Sequence, residues 1–329
     1  MKTVLILGAN GRLGTAAAKA FAKAGWRVVG QARRETISSW PEGAILTSTH
    51  LSDTEGLTRA ASGASVVIYA LNPPYAQWKA EALPLLRQGL AVARALNATF
   101  MLPGNVYGYG SKLPRVLQED TPERGDHPKA AIRIAMEAEM ARAAQEARSR
   151  GEGLRCVVLR AGDFFGSGGG SWLDLAIAKD IARGQIVYPG PLDRTHAWAY
   201  LPDLAAVFEQ VASAPSEAPF ETLHFPGYTV TGREFTDALS TAASELGLRP
   251  SQGFRIGGMP WGLIRTVGLI YPAWGELATM SYLWTRPHGL DGGVLEARIG
   301  LRPLTPLVAA LRQSLTDLGL APARGSPAP

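Results

Sequence analysis

Near its amino end the chain runs through a short apolar stretch, Thr3 to Leu7, into Gly8-Ala9-Asn10-Gly11-Arg12-Leu13-Gly14, and an alanine-rich segment, Leu13 to Ala24, follows at once. This succession constrains the fold more than any other feature. A strand, a turn needing backbone free of side chains, and a helix opening directly behind it form a βα unit suited to an anion. The glycines let the backbone bend sharply and come close to the bound group. The first turn of the helix adds unpaired N–H groups and the positive end of its dipole. Gly8, Asn10, Gly11, Arg12, Leu13 and Gly14 are therefore expected to hold the pyrophosphate of a dinucleotide.

The rest of the first half repeats the alternation. Arg27 to Gln31, Ala44 to Thr47, Ser65 to Tyr69, Thr99 to Leu102 and Leu154 to Arg160 read as further strands, and the helices between them include Ala76 to Leu96 and Ala130 to Arg150. Such a pattern predicts an α/β protein, a Rossmann-like doubly wound parallel sheet with a smaller, mostly helical C-terminal substrate lobe. Residues 1–165 form the dinucleotide-binding domain, with 195–225 returning to it; 166–194 and 226–320 form the lobe, and 321–329 a flexible tail. Asp203 before Leu204, and Thr231 with Glu234, read as helix caps. Five of the eight tryptophans, Trp172, Trp198, Trp261, Trp274 and Trp284, fall in this second half, where they fill a core or wall a pocket.

Composition removes several classes of function. Cys156 is the only cysteine and sits in an apolar run, so disulfides and thiolate metal sites are excluded and a buried core thiol is expected. The net charge of +5 comes from scattered residues, with no basic block interleaved with aromatics, which argues against nucleic acid. Thr3 to Leu7 is too short for the core of a signal peptide, and Met259 to Trp274 is broken by Pro260, Arg265 and Pro272, so no membrane span is expected. The expected location is the cytoplasm. No His and carboxylate spacing suggests a metal, and no Gly-x-Ser-x-Gly elbow suggests a hydrolase.

At the end of the second strand the residues are Gln31-Ala32-Arg33-Arg34, where an NAD enzyme commonly offers an acid to the ribose 2′-hydroxyl. No acid stands there. Arg33 or Arg34, with Arg12 across the turn, would pair with a 2′-phosphate, so NADP(H) is favoured over NAD(H).

With Gly8-x-x-Gly11-x-x-Gly14 in place, the chain resembles the short-chain dehydrogenase/reductase superfamily, and within it the extended and atypical NAD-dependent epimerase/dehydratases. Leu51-Ser52-Asp53, Tyr69-Ala70-Leu71-Asn72, Asn105-Val106-Tyr107-Gly108, Leu159 to Gly166 and Tyr200 to Ala205 match further segments in the order that family requires. The resemblance implies that Asp53 contacts the adenine and that Leu71 and Asn72 lie beside the cofactor ribose. It places Asp163 where relatives have a ligand-touching asparagine, and His196, with Trp198 beyond it, on the substrate side where nucleotide-sugar enzymes have an arginine for the diphosphate. Loss of that arginine weakens the case for a nucleotide sugar.

The departures concern the proton. The family's Tyr-x-x-x-Lys places are held by Lys129 and Arg133, one helical turn apart on one face, and its serine falls near Pro103 and Gly104. The remaining candidates are Tyr107, acidified by Arg133 or Lys129; Asn105, as a hydrogen-bond partner of a substrate carbonyl; and Lys129 itself, desolvated beneath a substrate. The expected activity is hydride transfer with a small carbonyl or hydroxyl compound. The alternative is a catalytically silent NADP(H)-binding sensor or assembly protein. In relatives, helices corresponding to Ala76 to Leu96 and Ala130 to Arg150 often form a homodimer interface.

Overall fold

Alternate residues of the first strand face opposite ways, and both faces are apolar, as a strand in the middle of a covered parallel sheet requires. In the computed structural model, which describes residues 1–33, 40–300 and 303–320, β1 (Thr3–Leu7) sends Val4 and Ile6 into one core and Leu5 and Leu7 into another. Arg34 and the expected tail lie outside the described residues. The next strands are β2 (Arg27–Gln31), β3 (Ile45–Thr47), β4 (Ala64–Tyr69), β5 (Thr99–Gly104) and the short β6 (Val116–Leu117). They are followed by β7 (Arg155–Arg160), β8 (Asp163–Phe165), β9 (Gln185–Tyr188), β10 (Thr195–Tyr200) and β11 (Phe220–His224). Seven of them form one sheet in the order β11-β7-β5-β4-β1-β2-β3, every pair parallel. The chain winds one way from β1 through β2 to β3 and the other way through β4 and β5. The carboxyl ends of β1 and β4 therefore flank the crevice where such sheets take ligands.

Helix α1 (Arg12–Lys23) packs on the Val4 and Ile6 face together with α5 (Leu201–Ser213). The opposite face is covered by α2 (Thr54–Ala60), α3 (Trp78–Ala95) and α4 (Pro128–Ser149) through Leu57, Leu86, Leu90 and Met140. Cys156 lies in this second core; burial pushes its thiol up to about 12, so it carries no thiolate. Helix α3 begins two residues later than its sequence pattern suggests, because Tyr75–Gln77 forms a separate single turn.

The lobe is built on a three-stranded sheet in which β10 runs parallel to β8 and antiparallel to β12 (Tyr228–Thr231). Two smaller ladders join β13 (Arg255–Gly258) to β9 and β14 (Gly289–Leu290) to β6. Its helices are α6 (Gly232–Glu245), α7 (Trp261–Gly268), α8 (Pro272–Thr279), α9 (Tyr282–Thr285), α10 (Gly293–Ile299) and α11 (Leu307–Asp317). Thr231 and Glu234 form the expected capping box on α6. Asp203 does not cap α5, which starts earlier, at Leu201; its carboxylate instead accepts from the Thr305 N–H at 2.9 Å and hydroxyl at 2.8 Å. The apolar stretch after Met259 becomes the two short helices α7 and α8, and among the described residues no helix is long and apolar enough to cross a membrane.

Candidate active site

The glycine turn is closed by the backbone itself. Gly8 N–H and Ala9 N–H both donate to the Gln31 carbonyl, at 3.1 and 2.9 Å, and Gly11 N–H donates to Gly8 at 3.0 Å. Gly8 has φ +85°, and a Cβ there would lie 2.9 Å from the Ala70 carbonyl carbon and oxygen. A Cβ on Gly14 would lie 2.3 Å from the Gly8 oxygen, so α1 can begin this close to the turn only without that side chain. Gly11 caps α1 without a side chain to fill the helix mouth, leaving the first-turn amides open to a ligand. Asn10 and Gly11 are exposed at this mouth, and Leu13 is buried beneath it. These features fit a dinucleotide diphosphate.

Around the turn the expected cofactor residues take different parts. Leu71 is half-buried against Gly8, and Asn72 is exposed just after β4. Arg33 is exposed after β2, as a contact to a ribose phosphate needs. Asp53 caps α2, accepting from the Gly56 N–H at 2.8 Å. The Arg12 guanidinium reaches the lobe, donating to the carbonyls of Gly166 at 3.4 Å and Gly170 at 3.2 Å. It clasps the loop between β8 and the lobe, a role its position in the sequence does not announce.

Beyond the crevice the side chains converge. The loop after β4 and the turn after β5 bring Tyr75 and Tyr107 together, hydroxyl to hydroxyl at 3.0 Å. Asn105 is committed to that turn through its Oδ1, which accepts from the Tyr107 N–H at 3.0 Å, leaving its Nδ2 donors for a substrate. From α4, the Arg133 guanidinium lies over the Trp78 ring, 4.7 Å from its centroid, and the Lys129 ammonium lies 5.2 Å from the Tyr75 ring centroid. Both cations do share one helix face. Lys129 is only 2% exposed and is ion-paired with Glu276 of α8. It is thus not a free ammonium waiting beneath a substrate.

The expected acidification of Tyr107 is overturned. Burial pushes its phenol well above the usual value, Tyr75 and Asp163 push the same way, and the opposing effect of Arg133 is the smallest of these. Tyr107 is therefore a neutral hydroxyl. Gly104, near the place expected for the family's serine, has no room for a side chain: a Cβ there would lie 2.7 Å from Arg160 Cγ, and Arg160 is buried on Glu137, its Nε donating to Oε2 at 3.1 Å, and on the Tyr109 hydroxyl at 2.6 Å.

On the lobe side, Gly162 lets the chain pass close to β10, since a Cβ there would sit 2.1 Å from the Ala197 oxygen. That approach sets Asp163 beside His196, Oδ2 to Nε2 at 2.9 Å. The Asp163 carboxylate acts on the phenols of both Tyr75 and Tyr107, raising them, so it belongs to the same cluster. Trp198 backs His196, with ring centroids 5.0 Å apart, but its indole is wholly buried and stacked on Phe235 at 4.3 Å in the lobe core, so it is closed to a ligand. Tyr75 and Glu276 were not foreseen. Tyr75 lies in a proline-flanked loop and Glu276 in a distant helix, and neither carries a local signal. Among the described residues no group of His, Cys, Asp or Glu could hold a metal ion.

A family model, the NAD dependent epimerase/dehydratase family, matches residues 4–223. The chain belongs to this family. Its function is that of a nicotinamide-dinucleotide-dependent oxidoreductase or epimerase. No match was found among curated proteins. Solved structures share the fold: MoeE5 in complex with UDP-glucose and NAD is 17% identical with a TM-score of 0.71, the match covering 95% of this chain and 97% of that one. The Bordetella bronchiseptica enzyme WbmH in complex with NAD+ is 16% identical with a TM-score of 0.70, over 96% and 98%. The L-threonine dehydrogenase of Clostridium difficile is 14% identical with a TM-score of 0.69, over 97% and 98%. All three span the family's sheet and its lobe.

Proposed function

We propose that this member of the family binds NADP(H) in preference to NAD(H) and catalyses hydride transfer with a small carbonyl or hydroxyl compound. The observation that carries the reading is the meeting of Tyr75, Tyr107, Asn105, Arg133 and Asp163 beside the crevice whose other wall is the open mouth of α1. When bound, the nicotinamide supplies the hydride acceptor or donor. The chain's own residues then bind, orient and handle the proton. The Gly8 to Gly14 turn holds the diphosphate, and Arg33, with no acid beside it on β2, favours a 2′-phosphate. The neutral hydroxyls of Tyr75 and Tyr107 and the Nδ2 of Asn105 offer hydrogen bonds to a substrate oxygen, while Arg133 supplies positive charge next to it.

A small substrate is preferred to a nucleotide sugar because His196 is not available to a diphosphate. Its two ring nitrogens are engaged by Asp163 and by the Leu283 carbonyl. The silent-sensor alternative is not favoured, because polar groups converge on the crevice as turnover would need. Calorimetry on ligand-free protein with NADPH and NADH, followed by NADPH consumption across a panel of small carbonyl compounds, tests the reading. Tighter NADPH binding and turnover of at least one compound are expected. Equal affinities would remove the cofactor preference, and binding without any turnover would remove the enzymatic reading.

A further inference from the structure

His196 is 2% exposed, and each of its ring nitrogens faces an acceptor. Nδ1 lies 3.2 Å from the Leu283 carbonyl oxygen, which can only accept, and Nε2 lies 2.9 Å from Asp163 Oδ2. A neutral imidazole has one N–H and would turn a lone pair against one of these oxygens. The hydrogen bonds are complete only when the pair carries one more proton, as imidazolium with carboxylate or as imidazole with carboxylic acid. The two forms differ by movement of one proton along the line between Nε2 and Oδ2.

The surroundings keep that proton in place. Trp284 stacks on the imidazole at 4.2 Å with the rings parallel within 3°, and His288 meets it edge-on at 4.9 Å. His288 is held neutral down to about pH 4, by burial first and then by the charge of His196. Tyr75, Tyr107, Tyr188 of β9 and Tyr282 of α9 are the other titratable groups that feel Asp163. Among the described residues no lysine or arginine ion-pairs with Asp163, and His196 is its one side-chain hydrogen-bond partner. The Asp163 side chain is 15% exposed, and its Oδ1 takes no hydrogen bond from the described residues.

We propose that Asp163 and His196 share a stored proton and form the acid–base pair of this active site, in place of the family's Tyr-x-x-x-Lys. Asp163 is the group that meets the substrate oxygen; His196 is a positioning residue that keeps it loaded. As a carbonyl carbon gains a hydride, the Asp163 Oδ2–H bond breaks, its hydrogen bond to His196 Nε2 being given up, and the substrate O–H bond forms. A carboxylate beside a neutral imidazole remains, and solvent returns one proton at the exposed edge. In the opposite direction the pair, one proton short, takes the proton of the substrate hydroxyl. This assignment rests on the hydride-transfer reading above, and its test has an arm that does not.

That arm is heteronuclear NMR of the isotope-labelled, cofactor-free protein, with the His196 signals assigned by their loss in His196→Gln. The wild-type pair is expected to hold one proton more than a neutral imidazole and a carboxylate, read as protons on both ring nitrogens or as a protonated Asp163 carboxyl in its carbon-13 shift, and His196 to carry one proton in Asp163→Asn. A singly protonated His196 beside an ionised Asp163 carboxylate in the wild type overturns the proposal whatever the turnover. The kinetic arm predicts that Asp163→Asn lowers kcat at least about 100-fold, removes its pH dependence, and leaves NADPH affinity within about threefold. His196→Gln separates acid from scaffold, since the amide can still donate to Oδ2 but cannot carry the extra proton. A comparable fall in kcat is expected; near-normal turnover with an unchanged pH profile would overturn the proposal and leave hydride transfer standing. A wild type that binds NADPH, shows the extra proton on the pair and turns over nothing would sink the hydride-transfer reading, and the acid role with it.

Discussion

The diphosphate turn and the Asp163 pocket lie about one crevice, yet they are made of different material. The turn is one continuous segment, Gly8 to Gly14, whose glycines exclude side chains and leave the first-turn amides of α1 open to a ligand. The pocket draws Tyr75, Tyr107, Arg133, Asp163 and His196 from five separated parts of the chain, with Glu276 of α8 closing over Lys129. A site of backbone fails when volume is added. A site of side chains fails when a charge or a proton is displaced.

Acid should expose that contrast most strongly. His224 and His288 are buried in the folded protein with pKa values lowered to about 4 by burial, against 6.5 for the ordinary imidazole. The unfolded chain takes up protons there from about pH 6.5 downward, whereas the folded protein does so only near pH 4, so folding is weakened as pH falls through that window. The loss amounts to roughly 3 kcal/mol per histidine at most. Thermal midpoints should drop across this range and drop less in His288→Gln; midpoints that stay level would refute the assignment. Hydrogen exchange should rise first around β6, β10 and β14, which the two histidines bridge, and last in the glycine turn.

Adding one methyl group to the turn comes next. Gly14→Ala brings a carbon within 2.3 Å of the Gly8 oxygen, where only backbone can yield. A penalty of about 2 to 3 kcal/mol, or roughly 30- to 150-fold in affinity for NADPH and NADH alike, is expected by calorimetry. Unchanged binding would mean that the diphosphate does not rest on this turn. Arg33→Ala is a smaller and more selective change: about tenfold weaker NADPH binding and unaltered NADH binding, the loss of one charge-assisted hydrogen bond. Equal effects on both cofactors would shift the 2′-phosphate contact elsewhere.

The smallest effect is expected at Tyr107. Tyr107→Phe removes the hydroxyl pairing with Tyr75, costing about 1 kcal/mol of stability, and should lower turnover less than tenfold because the proton resides on Asp163 and His196. A hundredfold loss with intact folding would hand the proton to Tyr107 and erase the distinction between scaffold and acid within the pocket.

What could be read in advance follows the same division. The turn, the apolar strands and the capping box on α6 depend on neighbours within a few residues, so local spacing reveals them. Lys129 and Arg133 were legible as a pair on one face of α4, but not their partners, because Glu276 and Trp78 arrive from elsewhere in the chain. The effect of Arg133 on Tyr107 was misjudged because burial, which outweighs a nearby charge, is a property of the whole packing. Trp198 shares a face of β10 with His196, but it is wholly buried behind that ring against Phe235, a placement that packing alone decides.

The sequence by itself determined the parallel sheet and the open mouth of α1. Each is a matter of residue type at short separation. Only the tertiary structure decided that a carboxylate from β8 and an imidazole from β10 face each other with acceptors on both ring nitrogens. The location of a proton depends on distances and desolvation between segments far apart along the chain, and these exist only once β8 has paired with β10 and Trp284 has packed over them.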